Sequence, residues 1–414
     1  MGIDDISQFN YRTMLQRRFP TEQQYTEAFR QQQLPLADEY RTYQYRAIAD
    51  LYRELIHHAR GYRGKQIPLA ANLHSLRYNM LVPVDTVDLL YCETRYTEAG
   101  LDQAVVPFKL AETLGVPLAA LVDGHSVQRL KKQRTPDLLR RWLALTTAMG
   151  ANFCIPSLKL MQLDESDLDA VRFHRDDYVN DFRFVRENAG LFEGYESVTQ
   201  IGVLYSMADR WDSSYSRFLE FCQHVFDLNI PFSMPIAGDD RLTYRLSDEH
   251  LADLDTLLVP GDVQLDPAQQ AVLDRAGKKV RRVELNSDSN DLRTVLADVE
   301  PLLTAINNHR VWLLPRQKLS DPQASLVIHL VNKVFDKAAN RHPSLESVKI
   351  QVSDRLLAGR RISTASVHAP EHNPLPCRIE ESAAGTTVIV PRLDVWGVLR
   401  IDWKASAGSG APSE

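Results

Sequence analysis

The sequence lacks the features that mark a membrane protein, a disulfide-rich secreted protein or a zinc protein. Its 414 residues contain no run of about 18 apolar residues, so no membrane span is expected. The first residues have neither the basic segment nor the apolar core of a signal peptide. The cysteines are widely scattered, with no CxxC pair and no Cys/His cluster, and they are Cys92, Cys154, Cys222 and Cys377. We therefore predict reduced cysteines, no metal site, no contact with a membrane and a cytoplasmic location.

The sequence also has no large excess of positive or negative charge. The formal net charge is -6 and the pI is about 6.1. The longest basic block, residues 131–134 (KKQR), is typical of a solvated helix face. The basic surface of a nucleic-acid-binding protein is therefore not expected. The sequence contains no GxGxxG, GxxxxGK[ST], GxSxG or HExxH motif. We therefore predict that the protein uses neither a nucleotide cofactor nor any other cofactor.

What the sequence does contain is a regular alternation of apolar runs and amphipathic stretches in residues 1–199. This alternation is typical of parallel strands joined by helices. Pro136 stands in the first turn of one predicted helix, and Gly115 and Gly150 follow helices as C-caps do. The predicted strands cover 2–4, 67–72, 87–92, 116–122 and 152–155, and the predicted helices cover 9–19, 39–60, 102–114 and 136–149.

The rest of the chain changes character twice. Residues 200–310 predict a compact, doubly wound, flavodoxin-like α/β domain, with helices at 215–226, 247–254, 267–276 and 291–308 and strands at 200–206, 230–236, 256–260 and 279–285. Residues 311–403 contain six short apolar runs separated by turn residues, which predicts an antiparallel β-sandwich. The predicted sandwich strands are 311–314, 325–331, 347–352, 363–368, 386–390 and 398–402. Residues 404–414 are predicted to be a disordered tail.

Several stretches resemble, in order along the chain, barrel glycoside hydrolases with a β-galactosidase trimerisation-type domain. Residues 2–6 (GIDDI) resemble a central barrel strand from which an Asp emerges, and residues 87–93 (VDLLYCE) resemble a later strand that ends in an exposed Glu. Residues 184–206 resemble the connection into the trimerisation-type domain, and residues 326–332 (LVIHLVN) resemble the first strand of the C-terminal sandwich. The resemblance implies an α/β fold: a (β/α)8 TIM barrel, a flavodoxin-like domain and a β-sandwich.

One departure from this family concerns the length of the barrel. A complete barrel has eight βα units in about 250 residues. Only five strands are predicted here, and they would be the fourth to the eighth. We therefore expect a partial barrel. The sequence would then be a fragment, its start would be mis-assigned, or a second chain would supply the missing strands. Because about three of the eight barrel loops would be missing, we expect little activity from the isolated chain.

Glycoside hydrolysis requires two carboxyl groups on either side of the scissile bond. The resemblance assigns the nucleophile to Asp4 or Asp5, and the general acid/base to Glu93. Adjacent residues of a strand point to opposite faces, so only one of Asp4 and Asp5 can face the site. Each of the three could instead be a helix-capping or surface carboxylate.

Other polar residues follow the predicted strands. Asn72 and His74 follow the second strand, and Asp123 and His125 follow the fourth, where they could hydrogen-bond sugar hydroxyls or simply form turns. Arg95 is a further candidate for sugar binding. The function predicted is cleavage of O-glycosidic bonds by two carboxylates. The alternative is a non-catalytic carbohydrate-binding or assembly protein with an incomplete barrel. The expected partners are a carbohydrate and further copies of the chain, in a dimer or trimer, with no nucleic acid.

Overall fold

A computed structural model describes most of the chain beyond residue 36. The described residues are 37–62, 68–73, 86–94, 105–123, 135–154, 178–206, 213–239, 242–261, 263–307, 310–382 and 385–404, with positions 23, 24, 27, 81, 84, 126 and 130. They form a mixed α/β chain with several sheets. The predicted strand 2–4, the helix 9–19 and the tail lie outside these residues. No helix among those described is long and apolar enough to cross a membrane.

The first sheet is parallel and has four strands in chain order. Its elements are α1 (Ala37–Gly61), β1 (Ala70–Leu73), β2 (Leu89–Thr94), α2 (Val105–Leu114), β3 (Leu118–Val122), α3 (Pro136–Ala148), β4 (Asn152–Cys154) and α4 (Val179–Glu187). Pro136 begins α3, and Gly115 and Gly150 adopt φ values of 66° and 77° just after α2 and α3. These positive φ values explain why glycine stands at both helix ends.

The second sheet is also parallel. The elements of this segment are, in chain order, β5 (Glu196–Ser197), β6 (Ile201–Val203), β7 (Tyr205–Ser206), α5 (Ser213–Asp227), β8 (Phe232–Ser233), β9 (Ile236–Ala237), β10 (Thr256–Pro260), α6 (Pro267–Ala276), β11 (Val280–Val283) and α7 (Ser289–Val295). The strand order of the sheet is β11-β10-β6-β8. The short strands β7 and β9 pair separately. Asp266 caps α6 by accepting from the backbone N–H of Gln269 at 2.9 Å, and Pro267 occupies the first helical position, as the sequence predicts.

Three predictions for this segment are wrong in detail. The predicted helix 247–254 is a single 3-10 turn, Asp248–Leu251. The predicted strand 230–236 is interrupted between β8 and β9, where Pro235 stands. The predicted helix 291–308 ends at Val295. A helix that continued to residue 308 would hold Pro301 in its interior, and Leu303 is buried in the sandwich core instead.

The third part is an antiparallel sandwich of a four-stranded and a six-stranded sheet, ordered β12-β15-β19-β18 and β17-β16-β20-β14-β13-β5. Its strands are β12 (Leu303–Ala305), β13 (Val311–Gln317), β14 (Leu326–Asn332), β15 (Leu345–Val352), β16 (Ile362–Ala369), β17 (His372–Pro376), β18 (Arg378–Ser382), β19 (Gly385–Leu393) and β20 (Trp396–Trp403), with one helical turn, α8 (Asp354–Leu357). The predicted six strands are all present. Strands β5 and β12 also join it, although they lie in segments predicted to belong elsewhere.

Candidate functional site

The first sheet has one apolar face and one mixed face. Side chains alternate along a strand, and residues paired between parallel strands share a face. On the apolar face, Leu90, Cys92 and Val122 are buried in the same core as residues of α2 and α3. The helices therefore cover this face. The opposite face carries Asn72, Tyr91, Ala119 and Asn152 in one row, and Glu93, Leu121 and Cys154 in the next row toward the carboxyl ends of the strands.

Glu93 is half-buried on the mixed face and is the fifth of the six residues of β2. The predicted strand 87–92 stops one residue before Glu93, whereas β2 continues through Glu93 to Thr94. Glu93 pairs with Leu121, and the hydroxyl of Thr94 donates to the Leu121 carbonyl at 3.2 Å. The Glu93 carboxyl is thus held by a rigid strand, next to the edge at which catalytic groups of parallel barrels collect.

Asp123 follows β3 directly and is 7% exposed. Its backbone N–H donates to the Thr94 carbonyl at 3.2 Å, which continues the ladder by one step. Its carboxylate accepts from the Ser126 backbone N–H at 3.0 Å and from the Ser126 hydroxyl at 2.6 Å. A side-chain oxygen that accepts from the N–H three residues later is typical of a helix N-cap. These two bonds give Asp123 a turn-forming role of the kind that the sequence also predicts.

Asn72 is exposed and is the third of the four residues of β1. The predicted strand 67–72 ends at Asn72, but β1 continues to Leu73, which is buried in the same core as residues of the helices. Through its pairing with Tyr91, Asn72 lies on the same face as Glu93, one row behind it. The remaining candidates, Asp4, Asp5, His74, Arg95 and His125, lie outside the described residues.

Two side chains of this face were not singled out from the sequence. Tyr91 stands two positions before Glu93 in β2 and is half-buried beside it. Cys154 shares the row of Glu93, and burial raises the pKa of its thiol. Because side chains alternate between the two faces of a strand, the position of Tyr91 two residues before Glu93 could have indicated that both lie on the same face. The position of Cys154 depends on the register between strands, which no local pattern reveals. Within the described ranges, no group of three or more His, Cys, Asp and Glu side chains could hold a metal ion.

Comparison with known proteins gives relatives by sequence and by fold. No protein family model matches the chain. It is similar to two curated alpha-agarases, from Alteromonas agarilytica and Thalassotalea agarivorans, each 23% identical over 97% of this chain. The chain spans 28% of the length of each of these relatives.

Two solved structures share the fold. Alpha-L-fucosidase isoenzyme 2 from Paenibacillus thiaminolyticus has a TM-score of 0.61 at 11% identity, over 87% of this chain and 72% of that chain. A rhamnosidase from Novosphingobium sp. PP1Y has a TM-score of 0.52 at 13% identity, over 91% of this chain and 40% of that chain. At these identities the likeness concerns the fold alone.

Proposed function

We propose that this chain is part of a glycoside hydrolase that cleaves agar polysaccharide. The observation that carries the proposal is the mixed face of the first sheet, with Glu93 near the carboxyl ends of its strands. The chain that holds this face is similar over 97% of its length to proteins named alpha-agarases. A carboxyl group fixed on a strand end is what an acid/base step in glycoside hydrolysis requires.

In this proposal β1 to β4 are the fifth to eighth strands of a (β/α)8 barrel. The barrel places helices outside and the ends of its strands around a central site. The apolar, helix-covered face and the mixed face of the first sheet support this arrangement. The order of the second sheet, in which β6, its first strand along the chain, lies between β8 and β10, supports a flavodoxin-like domain, and we propose that this trimerisation-type domain assembles a dimer or trimer. Light scattering of the purified chain measures that oligomeric state.

The proposed mechanism uses two carboxyl groups. Glu93 protonates the leaving glycosidic oxygen, and Asp4 or Asp5 acts as the nucleophile or as the base that activates water. Asn72, His74, Arg95 and His125 contact the sugar hydroxyls, and Asp123 holds the turn after β3 through its bonds to Ser126. A carboxyl separation of about 5 Å predicts retention of the anomeric configuration, and one of about 6.5–9.5 Å predicts inversion.

The test compares Glu93→Gln with Glu346→Gln, in which an exposed glutamate of sandwich strand β15 is changed. Reducing ends released from agarose are measured for the chain and both variants, and binding of agarose oligosaccharides is followed by calorimetry. We expect Glu93→Gln to lose about 10²–10⁴-fold in rate, the range of general acid/base catalysis. Its binding of oligosaccharide and its unfolding midpoint should stay close to those of the unchanged chain.

Two outcomes would contradict the proposal. Equal rates in the two variants would remove Glu93 from the mechanism. Because little activity is expected of a partial barrel, hydrolysis is followed over long incubations, and binding with no trace of hydrolysis in the unchanged chain would favour the alternative, a non-catalytic carbohydrate-binding protein.

A further inference from the structure

The row of side chains behind Glu93 on the mixed face differs from the usual filling of a barrel. The row takes one residue from each strand of the first sheet, and these residues are Asn72, Tyr91, Ala119 and Asn152. Barrel interiors are filled by layers in which bulky branched side chains, Val, Ile and Leu, dominate. The row has two amides, one phenol and one methyl group instead. It therefore lacks the apolar side chains that close the interior of such a barrel.

The polar side chains of this face make no hydrogen bond or ion pair with the rest of the described chain. They are Asn72, Tyr91, Glu93 and Asn152. Half-buried and buried groups of the same kind are paired elsewhere: the hydroxyls of Tyr195 and Tyr244 donate to the carbonyls of Ser325 and Leu114, each at 3.0 Å. A phenol can donate and accept, and an amide can do both as well. The face therefore presents unused donors and acceptors.

Tyr91, Asn72 and Glu93 form the compact part of this face. Asn72 and Tyr91 are paired across neighbouring strands, which lie about 4.8 Å apart in a sheet. Glu93 follows Tyr91 by two residues on β2, about 6.6 Å further along the strand. Tyr91 and Glu93 are half-buried, and neither the hydroxyl nor the carboxyl oxygens are enclosed by described residues. A ligand next to the Glu93 carboxyl can therefore reach the phenol and the amide as well.

We propose that Tyr91 contacts the substrate and that the sugar site extends one row behind Glu93. The apolar face of a sugar ring packs against the phenol ring, while the Tyr91 hydroxyl and the Asn72 amide bond to sugar hydroxyls. Tyrosine suits this role because it combines an apolar ring with a polar tip. The identity of the ligand rests on the proposed function, whereas the role of Tyr91 rests on the composition and the unused polar groups of this row.

The test measures binding of agarose oligosaccharides by calorimetry, in the whole chain with Glu93→Gln introduced so that the probe is not cleaved. Tyr91→Phe removes only the hydroxyl and should weaken binding by about tenfold, the loss of one good hydrogen bond. Tyr91→Leu inserts a residue type that fills barrel layers. It should weaken binding more than Tyr91→Phe does, because the ring is lost too. In NMR spectra of the tyrosine rings, the oligosaccharide should shift the signal that Tyr91→Phe removes.

Tyr52→Phe is the matched control. Tyr52 is also half-buried and makes no hydrogen bond to the described chain, but it packs in a separate small cluster on α1. Its substitution should leave the affinity unchanged. If Tyr91→Leu unfolds the chain, Tyr91→Phe decides the question, because it keeps the ring.

Equal affinity with and without the Tyr91 substitutions would overturn the role of Tyr91 and would indicate a packed layer of the barrel. An unshifted Tyr91 signal at saturating oligosaccharide would overturn it as well. Failure of the proposed function is a different result, since it is measured as the rate of hydrolysis in the Glu93→Gln comparison. A chain that binds agarose through Tyr91 and never cleaves it would keep the sugar site and lose the hydrolase.

Discussion

Trp396 donates its indole N–H to Asp181 across 2.7 Å and thereby joins the last strand of the sandwich to helix α4. The Nε of Arg140, on α3, donates to the other oxygen of the same carboxylate at 2.8 Å. The side chain of Asp181 is only 1% exposed and that of Arg140 is 15% exposed. One buried carboxylate therefore joins two helices of the first part of the chain to the sandwich.

We predict that Asp181→Ala lowers the free energy of unfolding by about 2–3 kcal/mol, because it leaves the buried indole N–H of Trp396 without its acceptor and takes one carboxylate from Arg140, which keeps its ion pair with Glu371. Urea unfolding measures this loss. The control is Asp248→Asn, whose partner Arg275 is 57% exposed while Asp248 is 64% exposed. Exposed ion pairs contribute little, so the control should unfold at nearly the same urea concentration as the unchanged chain. If both variants lost the same free energy of unfolding, the buried hydrogen bonds of Asp181 would not stabilise the contact between the two helices and the sandwich.

Local patterns predicted two of the three elements that meet at Asp181, the helix of Arg140 and the last sandwich strand, but neither helix α4, which carries Asp181, nor the contact itself. The helical period around residues 136–149 and the apolar run at 398–402 were visible in the sequence. The hydrogen bond from Trp396 to Asp181 spans 215 residues, and no local pattern indicates such a contact. The same holds for Glu93. Its strand was predicted, but its place within the ladder depends on the register with Leu121.

Two missed strands have a common physical cause. Strand β17 contains Pro374 and Pro376, and β18 is charged, so both resemble turns in the sequence. Each lies at the edge of its sheet, β17 next to β16 and β18 next to β19. An edge strand tolerates proline and charge because one side makes no ladder hydrogen bonds. Edge position is a property of the fold, which explains why the sequence predicted the central strands and missed these two.

Gly150 and Gly115 provide a matched pair for a second prediction. Both have positive φ, but a Cβ on Gly115 would meet nothing within 4 Å, whereas one on Gly150 would lie 2.6 Å from Arg316 Nη2. Gly115→Ala should therefore cost only the backbone strain, about 1–2 kcal/mol. Gly150→Ala should cost at least about 2 kcal/mol more, because charged hydrogen bonds are lost.

The bonds at risk are those of Arg316 to the carbonyls of Tyr195, at 2.7 Å, and Ala148, at 3.3 Å. Thermal unfolding of both glycine variants measures the difference. In an Arg316→Ala background, Gly150→Ala should cost no more than Gly115→Ala. A persistent difference in that background would show that the arginine is not the cause.

His329 predicts how stability depends on pH. It is completely buried in β14, both ring nitrogens are unpartnered within the described chain, and burial, assisted by Arg316, lowers its pKa to about 3. Burial also lowers the pKa of His342 to about 4. Since the unfolded histidines titrate near 6.5, the unfolded state binds more protons between that pH and the folded values. Stability is therefore full above pH 6.5 and is lost as the pH falls, by about 1.4 kcal/mol per pH unit for each histidine.

His329→Leu should remove one of these two contributions and flatten the dependence between pH 6.5 and 4. At pH 8 it should cost little, because the neutral ring already lacks hydrogen-bond partners there. Urea unfolding at several pH values measures the slope, with His57→Leu at an exposed position of α1 as the control for loss of a histidine. An unchanged slope in His329→Leu would contradict the assignment.

The carboxylate of Asp123 allows a test that separates a structural role from a catalytic one. It accepts two hydrogen bonds from Ser126, one from the backbone N–H and one from the hydroxyl. We predict that Asp123→Ala lowers the free energy of unfolding by about 1 kcal/mol, the usual contribution of a helix cap. Ser126→Ala should lower it by a similar or smaller amount, because it removes only the hydroxyl bond.

The comparison of these two variants in the agarose assay then decides the role. If Asp123 only forms the turn, Asp123→Ala and Ser126→Ala should change activity in proportion to their losses of stability. If Asp123 also contacts the sugar, Asp123→Ala should reduce the rate far more than Ser126→Ala does at equal folded fraction. The structure favours the first result, because Asp123 is only 7% exposed and each of its two carboxylate oxygens already accepts a hydrogen bond from Ser126.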